Sequence, residues 1–269
     1  MNNRIIIFNC PFDILTMEET VKIINTSIRE KKQLKHVVVN VAKLVYMQTD
    51  LELYESVVNS DIINPDGQAI VWASKFLGKP LPERVTGIDL MQNLVKLAYE
   101  KGYKIFFFGA KEEVVKKVVE KYSNEFSKDI IAGYRNGYFK QNEEEFVAKQ
   151  IADSGADILF VAISSPKKEI FLNKYKGTIN VPFIMGVGGS FDVVAGVIKR
   201  APKWMQKCGL EWFYRLLQEP KRMWKRYLFT NVIFIYLFIK EFISVKLKRN
   251  LGYKKNFLMK AVIKYFLST

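Results

Sequence analysis

A carboxylate follows the third strand-like run of the chain, at a position where a sheet would present it to a ligand. Asp66 lies between the strand-like run 61–63 and a helical pattern that starts at Gln68. An aspartate before a helix often accepts backbone N–H groups as a cap, and position alone favours that interpretation. A carboxylate in this place could also act as general base toward a hydroxyl group. Both interpretations of Asp66 stay open.

A glycine-rich turn is the sharpest local motif. The segment G-V-G-G-S-F-D, residues 186–192, follows a strand pattern and opens a helix. Backbone N–H groups at such a turn cradle a phosphate or approach a ribose, so Gly186, Gly188 and Gly189 are candidate binding positions. Asp192 could bind a ribose hydroxyl. The motif is not a Walker loop, because G-x-x-x-x-G-K-[ST] is absent.

Two further loops carry candidate binding residues. Arg84 and Thr86 could bind a substrate oxygen, or they are a surface arginine and a helix cap with Asp89 three residues later. Gly109 and Ala110 end another strand, where glycine permits close approach of the backbone to a nucleotide. The full pattern G-x-G-x-x-G is absent, which argues against a dinucleotide cofactor.

An aromatic residue and a pair of lysines complete this set. Tyr138, in the segment 137–139, could stack on a base or belong to a buried turn. Lys167 and Lys168 follow Pro166 at the start of a helix. Lysines are unfavourable at that end of the helix dipole, which favours an anionic ligand beside Lys168.

The residue types exclude several kinds of site. His36 is the single histidine, and Cys10 and Cys208 lie far apart, which leaves no histidine-based metal site, zinc cluster or disulfide framework. No D-x-D occurs, although an enzyme that holds a nucleotide diphosphate through Mg²⁺ usually needs such carboxylates. With such a donor, cationic side chains must bind the diphosphate. The later part of the chain supplies Lys199, Arg200, Arg215, Arg222 and Arg226.

The elements that must position these residues alternate along the chain. Strand-like runs occupy residues 4–8, 36–41, 61–63, 104–108, 129–132, 157–163 and 183–187. Helical patterns occupy residues 17–30, 42–49, 68–77, 88–101, 112–125, 143–154 and 168–175. Such alternation predicts an α/β fold, a Rossmann-like parallel sheet flanked by helices. A ligand of such a sheet binds at the carboxyl ends of its strands, where the candidate residues lie.

Nearly all of the net charge of +15 lies in the last quarter of the chain. From Lys199 onward there are 17 of the 42 basic residues but three of the 27 acidic ones, a net charge of +14. We therefore divide the chain into a body, residues 1–198, and a basic, aromatic-rich helical appendage, residues 199–269. This charge predicts an anionic partner for the appendage, either lipid or nucleic acid.

The appendage contains an apolar run at residues 228–239, which Lys240 and Glu241 interrupt before apolar residues resume. A helix at the membrane surface with snorkelling lysines fits this pattern better than a membrane span or ordinary core packing. Residues 254–267 repeat the basic amphipathic pattern. At the other end, the apolar run 5–8 is too short for a signal peptide, which predicts a cytoplasmic protein.

In their order along the chain, these motifs resemble the WecG/TagA/CpsF glycosyltransferase family. The matching segments are N-P-D-G (64–67), E-R-V-T-G-I-D (83–89), F-G-A (108–110), G-Y-F (137–139), P-K-K-E (166–169), G-V-G-G-S-F-D (186–192), R-A-P (200–202), G-L-E-W (209–212) and Y-R-L-L-Q-E-P (214–220), with Arg222, Arg226 and Tyr227. The resemblance implies an inverting, metal-independent hexosyltransferase. It would move a sugar of the N-acetylmannosamine type from a UDP-sugar to a polyprenyl-diphosphate-linked saccharide, in cell-surface polysaccharide or teichoic acid synthesis.

The resemblance also implies roles for individual residues. Asp66 would be the base, and the appendage would dock on anionic lipid at the cytoplasmic face of the membrane as a peripheral protein. Its arginines, Arg215, Arg222 and Arg226, would then lie over the active site. Donor contacts would fall on Asn40, Gly109, Tyr138, Lys168, Gly188 and Asp192. No resident cofactor is implied, since the UDP-sugar is a substrate, and self-association through the body is a further expectation.

Two departures from the family pattern leave the sugar open. Val38 stands where the family often has Thr, and Lys168 where it commonly has Gln. N-acetylmannosamine, its uronic acid, glucose and other hexoses therefore all remain candidates.

Two other classes of function compete with this one. The basic, Trp-rich tail would also suit a nucleic-acid-binding protein, but the apolar run 228–239 has no use there, so we expect no nucleic-acid partner. A non-catalytic membrane protein that binds a nucleotide sugar is the second alternative.

Overall fold

A parallel sheet forms the centre of the computed structural model, which describes the backbone of residues 3–266 and the side chains of residues 3–247. The strands in this part of the chain are β1 (Arg4–Ile7), β2 (Cys10–Asp13), β3 (Leu34–Val39), β4 (Ile62–Pro65), β5 (Ile105–Gly109), β6 (Ile131–Arg135), β7 (Ile158–Ala162) and β8 (Phe183–Gly186). In the described residues, six of them form one sheet in the order β4-β3-β8-β7-β5-β6, and every neighbouring pair is parallel. The predicted α/β Rossmann-like architecture is confirmed.

Helices cover both faces of this sheet. They are α1 (Met17–Arg29), α2 (Val41–Tyr46), α3 (Leu51–Val58), α4 (Gln68–Phe76), α5 (Gly87–Lys101), α6 (Glu112–Glu125), α7 (Glu144–Ala152), α8 (Lys167–Ile179), α9 (Ser190–Val194), α10 (Lys203–Lys207), α11 (Glu211–Gln218) and α12 (Pro220–Phe266). Short 3₁₀ turns lie at Lys128–Ile130 and Gln141–Glu143.

The central strand β5 shows why its sequence is apolar throughout. Phe107 points into the core layer formed with α5 and α6, whereas Phe106 and Phe108 point into the layer formed with α7 and α8. Because successive side chains of a strand face opposite sides, a strand covered on both faces has no polar position to alternate with.

The first predicted strand is present, but it does not belong to the parallel sheet. β1 pairs with β2 in an antiparallel hairpin, outside the parallel sheet. Pro11 and Asp13 interrupt the apolar pattern of β2, and the sequence analysis therefore missed it. Asp13 is buried, where it binds the Nε of Arg4 at 2.9 Å and the N–H of Ile63 at 2.7 Å. The hairpin is thereby tied to the edge of the sheet at β4.

The long helix α12 lies along the body with one face and leaves the other exposed. Met223, Thr230 and Phe234 are buried, and Phe234 packs edge-on against Phe8 of the hairpin. The exposed apolar residues of the opposite face are Leu228, Phe229, Val232, Ile235, Tyr236, Ile239, Ile243 and Leu247. Their spacing of mostly three or four residues places them in one stripe along the helix.

One acidic side chain strengthens this packing. Glu241 accepts a hydrogen bond from the N–H of Phe8 at 2.8 Å and lies 3.5 Å from the Nζ of Lys79. The acid that interrupts the apolar run therefore faces the body. The side chains of the predicted basic stretch 254–267 lie outside the described residues, and the division into domains at residues 198 and 199 stays a prediction.

Candidate active site

A cavity of about 1360 Å³ lies at the carboxyl edge of the sheet. Its walls are the segments that follow β3, β4, β5, β7 and β8, together with side chains of α11 and α12. Fourteen of the fifteen predicted site residues line it: Asn40, Asp66, Arg84, Thr86, Ala110, Tyr138, Lys168, Gly186, Gly188, Gly189, Asp192, Arg215, Arg222 and Arg226. Residues up to 186 positions apart in sequence, Asn40 and Arg226, thus share one cavity.

Gly109 does not line the cavity, and close packing of the backbone explains why a glycine stands at this residue. Its φ is 125°, and a Cβ at this residue would lie 2.5 Å from the carbonyl carbon of Ala162. The missing side chain therefore lets the end of β5 pass beside the end of β7. The structure gives this glycine a packing reason where the sequence analysis expected contact with a nucleotide.

Asp66 is half-buried at the cavity wall and does not cap the helix that follows it. Helix α4 begins after Gly67 without any side-chain cap, so the cap interpretation is wrong. The Oδ1 of Asp66 instead accepts the N–H of Gly87, at the start of α5, at 3.2 Å. Burial and the negative charge of Glu211 raise the pKa of Asp66. This single backbone contact holds the carboxylate while leaving its other lone pairs available to a substrate.

The loop before α5 combines the two interpretations that the sequence left open. Thr86 caps α5 by accepting the N–H of Asp89 at 3.3 Å, and it lines the cavity as well. Arg84 also lines the cavity, but its Nη1 pairs with Glu211 of α11 at 3.1 Å. Arg200 binds Asp89 through two hydrogen bonds of 2.7 Å. These two arginines therefore connect the body to the appendage through ion pairs.

A buried ion cluster lies below the glycine-rich turn. One oxygen of Glu169 lies 2.8 Å from the Nζ of Lys43 and 3.3 Å from the Nζ of Lys168, and all three residues are buried. Burial alone would raise the pKa of Glu169, but the two ammonium groups outweigh it and hold that pKa at about 2. Burial lowers the pKa of Lys168. The Lys168 side chain fills the space that a Cβ on Gly186 would need, which explains the glycine there.

The glycine-rich turn lies directly under an arginine of the appendage. A Cβ on Gly189 would lie 2.8 Å from the Nη2 of Arg215. Asp192, one turn further on, is half-buried, and burial raises its pKa while Arg215 and Arg222 oppose that rise. The turn, the aspartate and the two arginines thus form one wall of the cavity, with the charge to bind an anion.

The remaining predicted contacts lie at the rim and on α12. The Oδ1 of Asn40 accepts the N–H of Lys43 at 3.0 Å and thereby caps α2. Tyr138 is 69% exposed, so it is not part of a buried turn and its ring can receive a flat ligand. Arg226 contributes a guanidinium whose buried Nε has no hydrogen-bond partner among the described residues.

The sequence analysis missed three charged residues of this site. Lys43 and Glu211 line the cavity, and Glu169 forms ion pairs with two residues that line it, Lys43 and Lys168. Glu169 and Glu211 belong to the matching motifs, but only spatial proximity shows which cations they pair with. A lysine inside the otherwise apolar helix α2 was a signal for Lys43, because a buried lysine needs a partner.

Metal-ligating side chains do not gather in the described part of the chain. Within residues 3–247, no three His, Cys, Asp or Glu residues come together in a group that could hold a metal ion. Metal-independent catalysis stays a prediction.

Comparisons with known proteins agree with this arrangement. The sequence model of the glycosyl transferase WecG/TagA/CpsF family matches residues 5–248. A protein of Bacillus spizizenii named N-acetylglucosaminyldiphosphoundecaprenol N-acetyl-beta-D-mannosaminyltransferase is 43% identical over 176 residues, which are 65% of this chain and 67% of that protein. A protein of the same name from Bacillus subtilis is 41% identical over 179 residues, 66% of this chain and 69% of that protein.

Proposed function

The chain belongs to the WecG/TagA/CpsF family and is a glycosyltransferase, and we propose that it transfers N-acetylmannosamine from UDP to N-acetylglucosaminyl-diphosphoundecaprenol. The names of the two Bacillus relatives support this sugar and this acceptor. The observation that carries the proposal is that Asp66 and the three appendage arginines line the same cavity. A base for a hydroxyl and a cationic site for a diphosphate are the two groups that this reaction requires.

The proposed reaction is a single displacement. The acceptor hydroxyl attacks the anomeric carbon while Asp66 takes its proton, and the bond from that carbon to the UDP oxygen breaks. Because the attack comes from the side opposite UDP, the configuration at the carbon inverts. The raised pKa of Asp66 makes its carboxylate a better proton acceptor than an exposed aspartate.

Negative charge develops on the diphosphate as UDP leaves. Arg215, Arg222 and Arg226 line the cavity from the appendage, and Arg215 lies directly against the glycine-rich turn at Gly189. Fixed guanidinium groups in this position stabilise the departing diphosphate without a divalent ion. Lys168 adds a buried cation beneath the turn.

A donor screen tests this proposal. We expect the purified chain, with a short-chain polyprenyl-diphosphate N-acetylglucosamine acceptor, to use UDP-N-acetylmannosamine at least about tenfold better than UDP-glucose or the UDP-uronic acid, since a pocket that hydrogen-bonds one sugar leaves polar groups unpaired with another. Excess EDTA should leave the rate unchanged. Product formation would be followed by mass spectrometry. A rate that EDTA abolishes and Mg²⁺ restores would contradict the role given to the arginines, and absence of transfer from any donor would contradict the proposal itself.

The exposed stripe of α12 supports a peripheral position on the membrane, which we propose to be its cytoplasmic face. The segment Pro220–Leu247 is long and apolar enough to span a membrane. Yet Phe234 and Glu241 of this helix hold its opposite face against the body, so lipid cannot surround the docked helix. Ile235 belongs to the exposed stripe and also lines the cavity. The acceptor can therefore reach the site while its lipid chain stays in the bilayer. Self-association stays a prediction.

Vesicle flotation checks this position. We expect the chain to float with vesicles that contain anionic phospholipid, and the double variant Val232→Asp/Ile239→Asp to lose most of that binding, because charges in the exposed stripe oppose burial in lipid. Phe146→Asp, on α7, is the control, since Phe146, at 63% exposed, is at least as exposed as Val232 and Ile239. Alkaline carbonate should extract the bound wild type. Resistance to carbonate would indicate a span, and flotation of the double variant would contradict the role of the stripe.

A further inference from the structure

The two oxygens of Glu219 bind two different arginines of the cavity. Oε1 lies 2.8 Å from the Nη1 of Arg222, and Oε2 lies 3.5 Å from the Nε of Arg215. We propose that Glu219 is a positioning residue, which holds both guanidinium groups in the orientation that receives the diphosphate of the donor. This inference rests on the proposed function, and it assigns to an acidic residue a role in a site that binds an anion.

The Nε edge of Arg215 points toward Glu219, and its Nη edge points toward the glycine-rich turn. The Nε of Arg215 faces Oε2 of Glu219 at 3.5 Å, an ion-pair contact without a hydrogen bond, and the two Nη groups lie over the glycine-rich turn, where a Cβ on Gly189 would be 2.8 Å from Nη2 and 3.2 Å from Nη1. Two parallel N–H groups of one arginine are the geometry that binds phosphate oxygens in pairs. A rotated Arg215 would lose that presentation.

The backbone fixes Glu219 itself. It ends α11, and its carbonyl oxygen accepts the N–H groups of Arg222 at 3.2 Å and of Met223 at 3.0 Å at the start of α12. Its side chain is 23% exposed, and Pro220 follows directly. A carboxylate held at the junction of two helices is a rigid anchor for side chains that would otherwise have many rotamers.

The charge of Glu219 has two opposed effects on the donor. It repels the diphosphate, and it also orders the arginines before the diphosphate arrives. In the ground state these effects offset each other. In the transition state, where charge on the leaving group grows, the orientation of the guanidinium groups has the larger effect. Removal of the charge should therefore lower kcat more than it changes KM.

A double-mutant cycle with Arg215 tests the proposal. In steady-state assays with UDP-N-acetylmannosamine, Glu219→Gln should lower kcat about tenfold and change the donor KM by less than about threefold, whereas Arg215→Ala alone should have a larger effect. In the Arg215→Ala background, Glu219→Gln should cost less than about a further threefold, since much of what it positions is already gone. Glu219→Asp, which retains the charge on a shorter arm, should recover part of the rate.

Controls separate positioning from a general loss of structure. Glu145→Gln removes a comparable pair with a residue four positions later, Lys149, on the exposed surface of α7, and should leave kcat unchanged. Thermal unfolding of each variant reports whether the fold is retained. A full additive loss in the Arg215→Ala background, or wild-type kcat in Glu219→Gln, would overturn the proposal while leaving the proposed function intact. A wild-type chain that transfers no sugar would overturn both.

Discussion

Replacement of Asp66 by asparagine should reduce the rate of sugar transfer by about 10²–10⁴ and leave the fold intact. General-base catalysis contributes roughly 10²–10⁴ in rate, and no other carboxylate among the described residues was predicted to take the proton. Asparagine retains the oxygen that accepts the N–H of Gly87, so the start of α5 should not move. The rate of transfer to the lipid-linked acceptor, at saturating donor, is the measurement. Undiminished turnover would remove Asp66 from its role.

The raised pKa of Asp66 determines the direction of two further effects, one on the stability of this variant and one on the pH dependence of the wild-type rate. Folding raises the pKa of this carboxyl above its unfolded value of 3.8, so the native state disfavours the ionised form. The free energy of unfolding therefore decreases as the pH rises from 3.8 through the higher pKa of the native state. At neutral pH the neutral asparagine avoids that cost, and Asp66→Asn should unfold at the same temperature as the wild type or higher. The rate of the wild type should fall on the acid side at a pH above 3.8, because protonated Asp66 cannot accept a proton.

The same residue shows both the strength and the limit of reasoning from sequence. The position of Asp66 after a strand placed it at the carboxyl edge of a parallel sheet, and the structure has it there. The sequence alone could not decide whether Asp66 is a helix cap or a base, because that depends on which backbone N–H donates to its carboxylate. That partner, Gly87, lies 21 residues away on a different helix.

Hydrophobic periodicity predicted the strands whose buried residues are apolar, and it failed for the strand that buries a charged residue. The strands β5, β7 and β8 are continuous apolar runs, and each was predicted at nearly its observed bounds. In contrast, Asp13 of β2 is fully buried because it binds Arg4 and the backbone of Ile63. Ion pairs of this kind follow no local period, which is also why the partners of Glu169 became visible only in three dimensions.

The appendage contributes arginines to the cavity wall, but not all of its cations are available to a substrate. Arg200 is engaged by Asp89 through two hydrogen bonds and also faces Glu211. Arg215, Arg222 and Arg226 line the cavity with weaker or fewer acidic partners. The sequence shows how many charges a segment carries. Only the structure shows which of those charges are paired with an acid and which can bind a diphosphate.

Arg222→Ala should therefore lower kcat by about 10²–10³, the loss typical of one group that stabilises charge in a transition state. Its guanidinium is held by Glu219 at 2.8 Å beside the cavity, and 64% of the side chain is exposed. The donor KM should change less than kcat, because the charge on the diphosphate grows only as UDP leaves. Arg222→Lys should recover little, since a single ammonium cannot replace the paired N–H groups of a guanidinium.

Membrane binding must be separated from catalysis in this experiment, because Arg222 is also a basic residue of α12, the helix that we propose to dock on the membrane. Lys225→Ala is the matched control: Lys225 is exposed on the same turn of α12, and its Nζ lies 5.5 Å from the ring centre of Trp224. Both variants remove one positive charge, so each should weaken vesicle flotation slightly and equally. If they also lowered kcat equally, the effect of Arg222 would arise from docking on lipid. A large loss confined to Arg222→Ala would show that α12 supplies a group that acts on the departing diphosphate.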